Sequence, residues 1–245
     1  MANFEAKIRG MKHAYFCMLS VVGLLSLVGC SATKFVPDGQ YLLNKATVKV
    51  EDTHEVLSQD LRNYLQQKQN TEILGFWKLQ LGIYNTASQD TAKWTSRNAR
   101  KIGEPPVIFS EELTERSMQQ LENAMDNKGY FQAEIDTTKE VKDKKLNLTY
   151  HVTANTPYHI RNYTISFPNA DLQQIAASER FRLLHEGMRF DVDAMNQERQ
   201  RVASAMRRNG CYYFDKELIR FVADTTWGRR QVDLTICLQD YFSQL

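Results

Sequence analysis

The stretch Phe109–Phe131, FSEELTERSMQQLENAMDNKGYF, constrains the fold more than any other, because it reads as a capped amphipathic helix that turns through a glycine into a strand, and it occurs twice. Phe109 aligns with Phe190, Leu121 with Val202, Met125 with Met206, Gly129 with Gly210 and Phe131 with Tyr212. Farther on, Leu146, Leu148, Tyr150 and Val152 align with Val232, Leu234, Ile236 and Leu238, after a few extra loop residues in the second copy. Ser110 and Asp191 stand where a side-chain oxygen caps a helix start, and Glu111 and Glu112 suit the positive end of the first helix. Leu113, Leu121, Ala124 and Met125 share one face, as do Ala194, Val202, Ala205 and Met206. Gly129 and Gly210 follow the last helical positions, where a left-handed residue closes the helix. Beyond them, period-two alternation predicts Phe131, Ala133 and Ile135 inward and Gln132, Glu134 and Asp136 outward, with Tyr212 and Phe214 inward in the second copy. A repeated helix-glycine-strand-strand unit is a building block.

Each unit is preceded by a strand and a further helix. Ala46, Val48 and Val50 alternate with Lys45, Thr47 and Lys49 in a half-buried strand over 41–50, and Leu57, Leu61, Tyr64 and Leu65 recur at helical spacing between Glu55 and Gln69. In the second half, Tyr163, Ile165 and Phe167 mark the strand, and Leu172, Ile175 and Ala176 the face of a shorter helix starting near Asp171. Two domains are expected, 41–154 and 158–240, joined by the short polar Asn155-Thr156-Pro157. The first holds a long insertion, 71–103, with Phe76, Trp77, Leu79, Leu81, Ile83, Tyr84 and Trp94 followed by Arg97, Arg100 and Lys101. A segment of this length inside a compact domain is either functional or an added layer. It reads as a surface for a partner or a lipid headgroup layer, with Phe76, Trp77 and Tyr84 as its candidates, or as aromatics packed on the domain.

The amino-terminal end has a different character. Lys7, Arg9 and Lys12 precede the apolar run Tyr15–Val28, which is shorter than the roughly 20 residues of a spanning helix, and Gly29-Cys30 follows. This is the pattern of a secretion signal over 1–29, whether translation starts at Met1 or at Met11. Leu27-Val28-Gly29-Cys30 resembles the lipobox of bacterial lipoproteins, which implies acylation of Cys30 and a lipidated linker over 30–40. Each buried methylene of such an anchor contributes about 0.8 kcal/mol, so several chains hold firmly. Ser31, rather than Asp, follows Cys30; by resemblance to enteric lipoproteins this favours the outer membrane.

A net charge of +2 with 24% charged residues advertises no polyanion partner. Cys17 leaves with the signal, so Cys211 and Cys237 are the thiols left in an oxidising compartment. If a loop over 224–229 joins the last two strands, Ala223 faces Arg230 and Cys211 lies opposite a position near Phe242. The two cysteines are therefore expected to be free and to point outward. No glycine-rich phosphate loop, HExxH, CxxC or GxSxG motif is present, and His54, His151, His159 and His185 show no metal-ligand spacing. His151 takes an outward place on its strand. Asn147-Leu148-Thr149 and Asn162-Tyr163-Thr164 match glycosylation acceptors, a reading at odds with the lipobox. No catalytic residue, cofactor, metal or small-molecule substrate is expected.

The strand-helix-helix-strand-strand order with a glycine-aromatic turn resembles the polypeptide-transport-associated (POTRA) domain of the BamA/TamA superfamily of outer-membrane assembly proteins. The lipobox, then KFVPDGQYLLNKATVKV and GEPPVIFSEELTERSMQQLENAMDNKGYF, is similar to the TamA-like lipoproteins of Bacteroidetes, often called TamL. The resemblance implies an α+β chain of two tandem POTRA-like domains, each with two helices on one face of a three-stranded mixed sheet. Such domains stand in the periplasm before a membrane-embedded β-barrel, and no barrel sequence follows here; 241–245 would be a tail or the start of one, which implies a truncated reading frame or fragment. The strand after each second helix, 130–136 and 211–224, would lie at an edge open to a client strand, with Tyr130, Gln132, Glu134, Cys211 and Tyr213 as the candidate contacts. Client polypeptides, assembly partners and, through the anchor, a membrane are the implied partners; nucleic acid is not. The competing readings are a cell-envelope enzyme acting on wall or glycan, whose sign would be a cleft gathering carboxylates such as Asp60, Glu134 or Glu217, and a nonfunctional remnant.

Overall fold

The computed structural model describes residues 32–74, 78–88, 93–177 and 182–239. The signal over 1–29, Cys30, Phe76, Trp77 and the tail at 241–245 lie outside the described residues. Among the described residues the order is β1 (Leu42–Val50), α1 (Ser58–Leu61), α2 (Leu79–Thr86), α3 (Trp94–Ile102), α4 (Glu111–Asn127), β2 (Glu134–Lys142), β3 (Lys145–Thr153), β4 (His159–Ser166), α5 (Ala170–Ala176), α6 (Val192–Arg208), β5 (Ile219–Asp224) and β6 (Gln231–Leu238). The fold is α+β, with two three-stranded mixed sheets of order β1-β3-β2 and β4-β6-β5. By internal contacts it divides into two compact units: the described parts of Met1–Thr47, Gln67–Glu112 and Thr138–Thr149, and those of Val48–Gln66, Leu113–Thr137 and Tyr150–Leu245.

In the first unit Val36, Leu42 and Leu81 pack together with Ala32 and Ile108 against them. The outer edge of β1 is covered there: Leu43 N donates to Val107 O, Phe109 N to Tyr41 O, and Ala46 N to the side chain of Gln69. Buried amides hold the covering segment. Asn70 Nδ2 donates to Pro105 O while its Oδ1 accepts from Val107 N, and Gln67 Oε1 accepts from Ser110 N. This strap explains why the helix expected over 55–69 shrinks to α1 and a 3-10 turn, Arg62–Tyr64. Gln67, Gln69 and Asn70 spend their side chains on strand and loop backbone, which requires an extended chain rather than a helix. Two left-handed residues, Asp143 and Lys144, close the β2–β3 hairpin, as a two-residue turn between right-twisted strands demands.

In the second unit α4 and α6 end in the same way. Tyr130 N donates to Met125 O and Cys211 N to Met206 O, around Gly129 and Gly210 at φ +85° and +98°. The buried face of α4 is Thr114, Ser117, Leu121, Ala124 and Met125, so Leu113 is displaced from the expected stripe. Ser117 takes the place because its hydroxyl donates to Leu113 O and accepts from Gln66 N. Asp191 caps α6 by accepting from Ala194 N, and Asn169 caps α5 by accepting from Asp171 N and Leu172 N. On the second sheet Ile165, Phe167, Ala176, Val202, Met206 and Ile236 form one cluster, and Ile160, Leu184, Phe190, Met195 and Leu234 another.

Two expectations near the last strands are corrected. The β5–β6 register pairs Ala223 with Leu234 rather than Arg230, because the connection takes in residues 225–230 and turns through left-handed Gly228, Arg229 and Arg230. Cys237 accordingly pairs with Arg220, whose Nε lies 3.4 Å from its Sγ. Both cysteines are free and half-buried, and Cys211 packs against the second-sheet core instead of pointing outward.

Candidate functional site

The four outer strands of the two sheets are not equivalent. The edge of β1 is occupied as described, and that of β4 is covered by 187–190: Ile160 N donates to Met188 O, Gly187 N to Ile160 O, and Phe190 N to Tyr158 O. Among the described residues, β2 and β5 each have a single strand neighbour. β2 carries Glu134, Asp136, Lys139, Glu140 and Lys142, all exposed, and Lys139 reaches Glu111 at 2.5 and 2.7 Å. Charges along an edge disfavour the approach of another chain. β5, IRFVAD, is charged only at Arg220 and Asp224, and Val222 and Ala223 are exposed between them.

The sequence candidates fall unevenly on this geometry. Glu134 is the first residue of β2. Tyr130 precedes the strand and is 1% exposed, its hydroxyl accepting from Arg189 Nη1 at 3.2 Å. Gln132 is exposed in the connection, its carbonyl accepting from Asn155 Nδ2. The segment 211–218 is a turn followed by a 3-10 turn, Lys216–Leu218, so strand pairing begins only at Ile219. Tyr213 stands in that turn at 100% exposure and Tyr212 at 77%, so Tyr212 does not take the inward place that alternation predicts; Phe214 does pack on the core. Tyr84 is half-buried, edge-on to Phe35 with ring centroids 5.5 Å apart. Its companions Phe76 and Trp77 lie outside the described residues.

Polar groups that sequence reasoning passed over are drawn together inside the second unit. Arg189 Nη1 also donates to Glu55 Oε2 at 2.8 Å and Nη2 to Asp191 Oδ2 at 3.4 Å. Glu198 is fully buried on α6, bound by Arg201 through Nε and Nη2, by Tyr163 Oη at 3.1 Å and by Leu183 N at 3.1 Å. Burial first, and the Glu198 charge second, push the Tyr163 hydroxyl well above its ordinary range. The signal for Glu198 was present: it lies four residues from both Ala194 and Val202, on the apolar face. Arg161 sits at a β4 irregularity, 3.9 Å over the Trp227 ring, and donates through Nε and Nη2 to Asp233, holding that carboxyl below its usual range.

Asp60, Glu134 and Glu217 occupy α1, β2 and the 3-10 turn, and Glu217 accepts from Arg199 at 3.2 Å. A groove of about 470 Å³ between α5 and α6 is lined by Asp171, Gln174, Ile175, Arg201, Ala205, Arg208 and Asn209, none of them a member of that trio. No group of three or more side chains able to hold a metal occurs among the described residues, and no described helix is long and apolar enough to cross a membrane.

Residues 46–155 match the family described as POTRA, surface antigen variable number repeat. Among solved structures, the chain is similar to the BamA POTRA3-5 segment of Haemophilus influenzae, at 16% identity over 84% of this chain and 69% of that one, with a TM-score of 0.38. It is similar also to POTRA1-2 of Omp85 from Anabaena, at 12% identity over 82% and 96% of the chains, with a TM-score of 0.35. BamA from Haemophilus ducreyi lacking POTRA domains 1-3 matches at 13% identity and a TM-score of 0.37, over 81% of this chain and 29% of that one. No curated protein matches the chain.

Proposed function

We propose that this chain is a noncatalytic interaction module of an outer-membrane protein assembly or translocation factor, lipid-anchored at Cys30 in the outer membrane and facing the periplasm. Its two POTRA-like domains, 41–154 and 158–240, would take client polypeptides or partner subunits by strand addition. The POTRA match over 46–155 supports the class of module. The observation that carries the binding mode is β5, a strand that pairs with one other among the described residues and has few charges, with the exposed Tyr212 and Tyr213 in the turn that leads to it. Backbone pairing along such an edge gives affinity with little dependence on client sequence.

A photo-crosslinking side chain at Val222, offered an unfolded outer-membrane polypeptide, should capture it well above the same side chain at Glu115, an exposed position on α4. Amides of 219–224 should also slow in hydrogen exchange when the polypeptide is added. Equal capture at the two positions, with unchanged exchange in β5, would remove strand addition as the binding mode.

A further inference from the structure

Helix α3 is turned inside out. Its buried residue is Ser96, whose hydroxyl accepts from Ser88 N at 3.1 Å. Arg100 also reaches inward, donating through Nη2 to Ser88 O at 3.2 Å with its guanidinium 5.5 Å from the centre of the Phe35 ring. The large apolar residues face the other way: Trp94 is 70% and Ile102 66% exposed. At 3.6 residues per turn, Arg97, Lys101, Trp94 and Ile102 fall within an arc of about 140°. Lys93, Arg97 and Lys101 are exposed, the helix holds no acidic residue, and none of the three cations makes an ion pair among the described residues.

A surface helix ordinarily turns its apolar stripe to the core and its charges to water. Here Ser96 and Arg100 turn inward, and an indole, an isoleucine and three cations are on the outside. The arrangement is held firmly. Gly103 N donates to Ala99 O at 2.9 Å and Glu104 N to Gln80 O, and a Cβ at Gly103 would stand 2.4 Å from Tyr84 N, so α2 and α3 are in close contact.

We infer that this face of α3 docks on an anionic lipid headgroup layer, with Trp94 and Ile102 entering the apolar boundary and Lys93, Arg97 and Lys101 over the phosphates. Tryptophan favours that boundary, and each nearby cation adds attraction to an anionic surface. Cations alone would serve an acidic protein or a nucleic acid in water; the indole and isoleucine beside them are what a headgroup layer takes up.

The test uses the full chain with Trp77→Phe and Trp227→Phe, so that Trp94 alone remains of the three tryptophans. It is combined with phosphatidylcholine vesicles, with and without phosphatidylglycerol, whose acyl chains carry bromine. On the anionic vesicles Trp94 emission should move to the blue and be quenched several-fold more than on the neutral ones. R97E/K101E, checked for an unchanged far-UV spectrum, should lose both effects, as should added salt. The reading reports the depth of this ring, so attachment of the chain through its amino-terminal end does not by itself produce it. Equal quenching on both vesicles, or no response to charge reversal, would overturn the inference. So would a blue shift without lipid that grows with protein concentration, which assigns the face to a second copy of the chain.

Discussion

Single residues decide where this fold cannot change. Gly129 and Gly210 hold equivalent places, yet a Cβ at Gly129 would lie 2.5 Å from Phe190 O, whereas one at Gly210 meets nothing within 4 Å. Gly210→Ala therefore carries only the left-handed backbone cost, about 1–2 kcal/mol, while Gly129→Ala adds a forced shift for a total of about 2–5 kcal/mol. Urea unfolding of the two variants measures the difference, and equal losses would show that the close approach is relieved without cost. Tyr163 provides a pH signature. Its ordinary value is 10.0 and burial raises it, so the folded chain keeps a proton that the unfolded chain releases. The stability it contributes is complete below pH 10 and falls as pH rises above it. Wild type should lose more stability between pH 9 and 11 than Tyr163→Phe; parallel losses would exclude a special role for this hydroxyl. The cluster beneath it, Glu198 with Arg201, is a buried pair in which loss of one partner leaves a charge unmatched, at a cost of about 3–5 kcal/mol.

At the scale of elements, local periodicity specifies some segments and is overridden in others. The long helices α4 and α6, their glycine stops and the alternation of β3 and β6 follow from local spacing, because a stripe sustained over a helix of seventeen residues leaves little ambiguity. The helix expected over 55–69 had equally good spacing at Leu57, Leu61 and Leu65, but Gln67, Gln69 and Asn70 are claimed by backbone far along the chain. Edge strands pose the same problem. That β2 and β5 lie at edges matches the resemblance, while the onset of β5 at Ile219 depends on a turn, 211–215, that alternation cannot see. If β5 accepts clients, Val222→Lys should weaken capture of an unfolded polypeptide several-fold, since an edge charge opposes pairing, and should leave thermal stability within a few degrees. A normal capture level in that variant would place the binding surface elsewhere.

For the whole molecule, the proposed anchor sets where everything else works. With Cys30 as the acylated residue, Cys30→Ser should abolish incorporation of a clickable fatty acid and move the chain from the membrane to the soluble or uncleaved fraction of a bacterial host. Undiminished labelling would place the lipid elsewhere or remove it. Burial of several acyl chains far outweighs what one short amphipathic helix contributes, so loss of the α3 face should alter the local contact of Trp94 and leave fractionation unchanged.

What the sequence determined by itself was the α+β class and the repeated helix-glycine-strand unit, because amphipathic period and helix closure are local properties recorded every few residues. The tertiary structure alone decided which polar side chains go inside. Glu198 and Ser117 occupy apolar stripes because partners brought from elsewhere, Arg201 and Tyr163 for one and Gln66 N for the other, compensate their desolvation. It also decided that Tyr130 is covered while Tyr213 is bare, although both follow a helix-closing glycine. Tyr130 meets Arg189, whereas Tyr213 is fully exposed in its turn. A residue's burial depends on what another part of the chain lays over it, and such pairings across distance leave no period to read.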